Sequence, residues 1–347
     1  MPTLYVTEPG AVVRRRAGSL IVTCEREISP SGSDTGERSS LLLEVEPHRL
    51  EMLGLVGYVH ITAEATRLCL RSGIAISWLT RGGALIGRLV PELSRTADLR
   101  LQQFRTVENT ASAMELGRYF IDAKLANAGA FLSALRSNRP GEPRFGEAIK
   151  HLAGLRERIF TITDRDTLLG LEGEGAARYF SVLGLAFSGE ITFETRRRRP
   201  PPDPANALLS LGYVLLTNFI AGILEARGLD PYLGALHTPR SGRPSLALDI
   251  IEEFRHPVVD RFVLSLCNRR QFRPDCFETD PKTTGTRLKR DRLRQFFRAW
   301  ESMFDAPMAG LGENISVEQA VQRQIDRLAA HMRGRETYGA LLLAGAK

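Results

Sequence analysis

Up to about residue 93 the apolar positions come in short β-branched runs, TLYVTEP, SLIVTCER, SLLLEVEP, LVGYVHIT and GIAISWLT, separated by turn-rich stretches such as SPSGSDTGERSS. The pattern predicts a small β-rich domain. EATRLCLRSG, between two of these runs, has helical spacing and ends on Gly, so one helix is expected to cross the strands. WLTRGGALIGRLV reads as a hairpin closing on Arg81, Gly82 and Gly83.

From about Ser94 the apolar period changes from two to about 3.6. Long amphipathic stretches follow, among them ADLRLQQFRTVENTASAMELGRYFIDAKLANAGAFLSALRS, EAIKHLAGLRERIFTI, ARYFSVLGLAF, NALLSLGYVLLTNFIAGILEARG and VEQAVQRQIDRLAAHMRG. Breaks fall at SNRPGEPRFG, ETRRRRPPPDPAN and RPDCFETDPKTTGTR, where Pro, Gly and charge cluster. The expected fold class is therefore α+β, a β-rich domain over residues 1–93 followed by a larger all-α domain over residues 94–347. No internal repeat interrupts it.

Composition adds bounds. A chain of 347 residues with 43% hydrophobic content can bury two cores. Its apolar runs read as too short for a membrane span, and MPTLYVTEPG has neither a basic start nor an apolar signal core, so a cytoplasmic location is expected. Cys24, Cys69, Cys267 and Cys276 form neither a CxxC pair nor a zinc spacing, and reduced thiols are expected. The formal charge of +7 fits a polyanionic partner. Residues 1–94 hold ten Arg, no Lys and ten acidic residues, so the whole basic excess lies beyond them. Nucleic acid, if it is the partner, is expected mainly on the C-terminal part.

Three stretches place acids or imidazole inside apolar helical patterns. In LLGLEGEGAARYF, Glu172 is flanked by Leu171 and small residues, which makes a partly buried carboxylate plausible; the plainer reading is a surface acid at a helix N-terminus. His237 follows a long apolar helix and the turn LDPYLGAL, where a capping or core histidine is the ordinary alternative. In SLALDIIEEFR, Asp249 and Glu252 project from one helix face at i, i+3 with Glu253 close behind, or simply form a solvated acidic face. One imidazole with two or three carboxylates makes a mixed N/O donor set suited to Mg²⁺ or Mn²⁺, an ion that stabilises charge developing on a phosphodiester.

Phosphate contacts are expected from Arg196, Arg197, Arg198 and Arg199, a run that precedes the Pro-stiffened loop PPPDPAN. RLKRDRLRQFFRAW spaces Arg287, Lys289, Arg290, Arg292, Arg294 and Arg298 along an expected helix with Phe296, Phe297 and Trp300 interleaved. Its aromatics read as core and its basic face as solvated.

LLGLEGEGAARYF, RRRRPPPDPANALLSLGYVLL, GLDPYLGALH and GRPSLALDIIEEFRHPVVDRFVL resemble, in order and spacing, the core of the CRISPR-associated integrases of the Cas-one family. GRYFIDAKLANAGAFL is similar to that family's Lys-x-x-Asn helix, at Lys124 and Asn127, and RRRRPPPDPANALLS resembles members from type I-C and related systems. The resemblance implies a β-rich N-terminal domain that mediates homodimerisation and an all-α catalytic domain. It implies metal ligation by Glu172, His237 and Glu252, with Asp249 assisting as a fourth catalytic residue. Glu174 and Glu253, next to matched positions, are the alternatives. Asn206 and Tyr213 match positions near the site, and Lys124 and Asn206 join the arginine run as expected DNA contacts.

The implied reaction inserts a short duplex into a CRISPR array. A 3′-hydroxyl attacks a target phosphodiester with Mg²⁺ or Mn²⁺ as cofactor, by transesterification without a covalent protein intermediate. Implied partners are double-stranded DNA, a second copy of the chain, a Cas-two dimer bridging two homodimers, and a Cas-four nuclease. A plain metal-dependent endonuclease or junction resolvase and a non-catalytic DNA-binding scaffold are the competing readings. The polar segment SPSGSDTGERSSLLLEVEPHRL is longer than the link expected between early strands.

Overall fold

Alternating and fully apolar runs in the first quarter of the chain build two four-stranded sheets in the computed structural model, which describes residues 3–25, 39–91, 96–281, 283–311 and 314–345. In the first sheet the order is β1 (Thr3–Val6), β5 (Met52–Val56), β7 (Ala75–Leu79), β8 (Leu85–Leu89). β1, β5 and β7 run parallel, and β8 returns antiparallel through the expected turn at Arg81 to Gly83. Helix α1 (Ala63–Arg71) makes the crossover from β5 to β7; the Thr62 side chain caps its first turn, and Gly73 follows its end at φ +78°, a conformation glycine takes without strain. The second sheet has the order β4 (Ser39–Val45), β3 (Ser19–Glu25), β2 (Val12–Arg16), β6 (His60–Ile61). Leu4, Leu53, Leu55 and Ile76 of one sheet, Val13, Leu20 and Val22 of the other, and Ala65 and Cys69 of α1 share one core. Most of the polar link expected between early strands, residues 26–38, lies outside the described residues.

The rest is mostly helical, as the change of period predicts: α2 (Ala97–Glu108), α3 (Thr110–Ser137), α4 (Pro143–Ile159), α5 (Arg165–Leu183), α6 (Pro204–Ala226), α7 (Ser245–Phe254), α8 (Arg261–Asn268), α9 (Arg290–Asp305) and α10 (Val317–Met332). A short antiparallel pair, β9 (Phe277–Thr279) and β10 (Thr286–Leu288), precedes α9. The fold class is α+β.

Two compact units divide the chain, Met1–Leu93 with Arg290–Asp305, and Ser94–Lys289 with Ala306–Lys347. The boundary expected at 93 and 94 falls outside the described residues, and an unbroken helical domain over 94–347 needs one correction, because α9 belongs with the strands. Phe297 packs on Tyr5 with ring centroids 4.8 Å apart, and Glu301 accepts the Tyr5 N–H at 2.8 Å, so α9 covers the otherwise open edge of β1. Phe296, Phe297 and Trp300 are core, while Arg290, Arg292, Arg294 and Arg298 face solvent. Arg287 lies on β10, ahead of the helix, and pairs with Glu278 and Asp280.

The expectation that no apolar run could span a membrane also needs correcting. α6 is long and apolar enough by length and composition, but 78% of that window is buried inside the protein.

Candidate functional site

Every residue of α7 except Leu248 is buried, including Asp249, Glu252 and Glu253. A solvated acidic face is thereby excluded, and each carboxylate must find partners inside the protein. Asp249 finds four. Its Oδ2 accepts the Ala235 and Leu236 N–H groups at 2.7 and 3.0 Å, while Oδ1 accepts the His237 N–H at 2.9 Å and meets His237 Nδ1 at 2.7 Å. The loop must come very close for this: a Cβ at Gly234 would stand 2.8 Å from Asp249 Oδ2 and 2.7 Å from the Ser245 carbonyl carbon. Asp249 thus fixes the loop and the imidazole together, and with Nδ1–H given to the carboxylate the Nε2 lone pair is left for a ligand.

Three residues further along α7, Glu252 meets a cation from each side. Its Oε2 lies 2.7 Å from Lys124 Nζ and 2.8 Å from Arg255 Nε. Burial pushes the Glu252 carboxyl upward, but Arg255, Lys124 and His237 outweigh it and hold the group at about 2. The same Lys124 ammonium contacts Glu172 Oε1, so one buried cation joins α3, α5 and α7. Glu172 sits mid-helix with its side chain 22% exposed, which rules out a helix N-terminal surface acid.

These donors fit a divalent cation in chemistry. Two carboxylates already converge on one positive charge, an imidazole is oriented by a carboxylate in the manner of metal-bound histidines, and buried Glu252 Oε2 has no aligned hydrogen bond. The full ligand set is nevertheless not drawn together. Among the described residues no three His, Cys, Asp or Glu side chains cluster closely enough to hold an ion, because an ammonium stands between the two carboxylates.

Two expected DNA contacts have other places. Lys124 is 3% exposed and committed to Glu172 and Glu252. Asn206 is fully buried. It accepts from Arg196 Nη1 and the Arg197 N–H at 2.8 and 2.9 Å and donates to the Thr195 carbonyl and Asp203, so it shapes the arginine loop from within. Arg196 itself turns inward to Asn206, Ser210 and the Tyr213 ring. Arg197, Arg198 and Arg199 are exposed.

The neighbouring acids separate cleanly. Glu174 pairs with His151 at 2.8 Å on the outer face of α5. Glu253 points away from Glu252 and accepts from Tyr338 Oη, from Gln324 Nε2 at 2.8 Å and from the Leu341 N–H at 2.7 Å. Asn127, one turn after Lys124, binds the Glu253 and Leu341 carbonyls and the Leu343 N–H, each at 2.9 Å.

Sequence reading missed Arg255 and Asp260, which the structure ties to the site. Arg255 lies over the Tyr213 ring, 4.9 Å from its centroid, and the Tyr213 hydroxyl donates to Asp260, which also meets Tyr179 and His256 at 2.9 and 2.7 Å. The spacing of Glu252 and Arg255 at i, i+3 was the available signal. Pro257 hid the rest: it cannot continue an α-helix, and residues 255–260 form a wider π-type turn that re-aims Arg255 and Asp260 before α8.

A family model described as CRISPR associated protein Cas1 matches residues 4–302. CRISPR-associated endonuclease Cas1 1 of Chlorobaculum tepidum is 32% identical over 96% of this chain and 95% of its own length. A CRISPR-associated exonuclease Cas4/endonuclease Cas1 fusion of Rhodospirillum rubrum is 32% identical over 95% of this chain, which spans 56% of the fusion. Among solved structures, a casposase bound to integration product superposes with a TM-score of 0.81 at 21% identity, covering 100% of this chain and 94% of that one. A chain of a Cas6-RT-Cas1–Cas2 complex gives 0.77 at 21% identity, covering 98% of this chain and 36% of that one. At such identity these two structures speak for the fold alone, whereas the family model covers most of the chain and the relatives cover it almost end to end: it belongs to the CRISPR-associated Cas1 family.

Proposed function

We propose that this chain is a metal-dependent DNA integrase and endonuclease that inserts short duplexes into a CRISPR array by 3′-hydroxyl transesterification. The observation that carries the reading is the convergence of Glu172 and Glu252 on one buried cation, beside an imidazole that Asp249 holds through Nδ1. Glu172, Glu252 and His237 would hold Mg²⁺ or Mn²⁺, and the ion when bound supplies electrostatic stabilisation of the reacting phosphodiester. The chain's own groups do the rest. Asp249 keeps the imidazole in one tautomer, Arg255 keeps Glu252 ionised, and Arg197, Arg198 and Arg199 contact the DNA backbone from the exposed loop.

In the chemical step an incoming 3′-oxygen bonds to phosphorus as the target strand's 3′-oxygen leaves, so one phosphodiester replaces another and no water is consumed. With water as nucleophile the same site nicks DNA. The relatives' endonuclease names support phosphodiester cleavage. A casposase bound to integration product and a Cas2-containing complex share this fold, which is compatible with integration beside a Cas2 partner, and the fusion with Cas4 supports a trimming nuclease beside it. Homodimerisation through the β-rich unit, a cytoplasmic location and an origin in a type I-C system complete the reading; the last rests on the form of residues 196–210 alone.

Incubating the protein with 3′-hydroxyl duplex DNA, a supercoiled array plasmid and Mn²⁺ tests it. Products of joined length are expected. Nicks without joining would leave a plain endonuclease or junction resolvase, and full activity in Glu172→Ala and His237→Ala, or no activity to lose, would leave a DNA-binding scaffold.

A further inference from the structure

We propose that Lys124 is a resident counter-cation, one that holds Glu172 and Glu252 together in the metal-free protein and gives up its place when a divalent cation arrives. The inference rests on the metal reading above and concerns how that site is kept and filled. Its starting point is a charge balance. Two carboxylates, Glu172 and Glu252, meet two cations, Lys124 and Arg255, in a region where the Lys124, Glu252 and Arg255 side chains are 4%, 3% and 9% exposed. These four groups are neutral together, and the buried Asp249 carboxylate on His237 adds one negative charge. A divalent cation entering between the carboxylates would leave one positive charge in excess, and buried charge without a partner is costly.

One cation must therefore yield, and the two differ in their freedom to do so. Arg255 is a planar guanidinium laid over the Tyr213 ring, on the same helix run as Glu252. Tyr213 is held in turn by Asp260. Lys124 is a compact charge on a flexible stem, and among the described residues its ammonium pairs with the two carboxylates alone. Asn127 pins the α3 backbone one turn away through three hydrogen bonds, so the stem can swing while the helix stays. The exchange is of ions alone, with no covalent bond made or broken. Until metal arrives the ammonium prevents the two acids from repelling each other, and afterwards it competes with the ion for the same oxygens.

Titration of Mn²⁺ into the full chain tests this, by calorimetry and by the electron paramagnetic resonance of free Mn²⁺, on the wild type and on Lys124→Met. Competition predicts that the variant binds Mn²⁺ about fivefold more tightly or better. It also predicts that without metal the variant melts below wild type, and that Mn²⁺ raises its melting temperature by more. Lys124→Gln, which keeps a polar head without charge, should show the same order and serves if the methionine variant does not fold. Wild-type binding with an unchanged or weaker Kd in the uncharged variants would overturn the exchange and leave the metal reading standing. Absence of Mn²⁺ binding in every form would overturn the metal reading and the exchange with it.

Discussion

Asp249 satisfies three backbone N–H groups and one imidazole with two oxygens, which makes it a positioning residue rather than one that touches substrate. Asp249→Asn keeps the size but offers the imidazole an amide, so His237 loses its fixed tautomer. Mn²⁺ affinity should fall by about 10 to 100-fold, the usual cost of losing such an outer partner, measurable by calorimetry. Glu253 makes a contrasting prediction, because burial raises its carboxyl from the ordinary 4.5 to about 7 against the lowering effect of its hydrogen bonds. The folded state holds that proton more tightly than the unfolded chain does. Its stabilisation is therefore complete below about pH 4.5 and lost as pH rises to 7, by at most about 3 kcal/mol. Urea unfolding at pH 5 and pH 7.5 should show wild type losing stability relative to Glu253→Gln, and parallel curves would contradict the assignment. The i, i+3 spacing of Asp249 and Glu252 was legible in the sequence because helix geometry fixes it. The places of Lys124 and Glu253 were not, since a one-dimensional pattern does not say which of two neighbouring acids faces which helix.

The site is held at the scale of helices by how closely α5 approaches α3. A Cβ at Gly175 would stand 2.4 Å from Leu125 Cδ2 and 3.4 Å from Leu155 Cδ1, so the glycine admits one helix against the other three residues past Glu172. Gly175→Val should overpack this contact at a cost of about 1 to 3 kcal/mol and lower Tm by several degrees. Because α5 carries Glu172, it should also weaken Mn²⁺ binding, which a purely local strain would leave untouched. The apolar pattern revealed most of these helices, and the five short runs with the expected hairpin touch each described N-terminal strand except β2. β2 escaped because Val12–Arg16 ends in three arginines and shows no alternation; its pairing with β3, not its own composition, makes it a strand. The placement of α9 escaped for a related reason: its buried aromatics announced a core but not which core.

Over the whole molecule the basic excess beyond residue 94 is distributed more sparingly than the arginine run implies. Arg196 serves the loop's interior, and only Arg197, Arg198 and Arg199 of the run reach solvent. Replacing these three by Ala should weaken duplex binding irrespective of sequence and reduce the salt dependence of log K by up to about 3. An unchanged salt slope in filter-binding or anisotropy titrations would remove the loop from the DNA interface. The charge asymmetry and the motif order were legible along the chain. The convergence of α3, α5 and α7 on one buried ammonium was not, because it depends on packing between residues 48 and 128 positions apart.

The central claim is that Glu172, Glu252 and His237 share one divalent cation, and an anomalous difference map from crystals soaked in Mn²⁺ addresses it without intermediaries. The account predicts a single strong peak about 2.0 to 2.6 Å from both carboxylates and from His237 Nε2, with the Lys124 ammonium moved aside. A map with no peak there, and with Lys124 still bridging the two acids at saturating Mn²⁺, would contradict it.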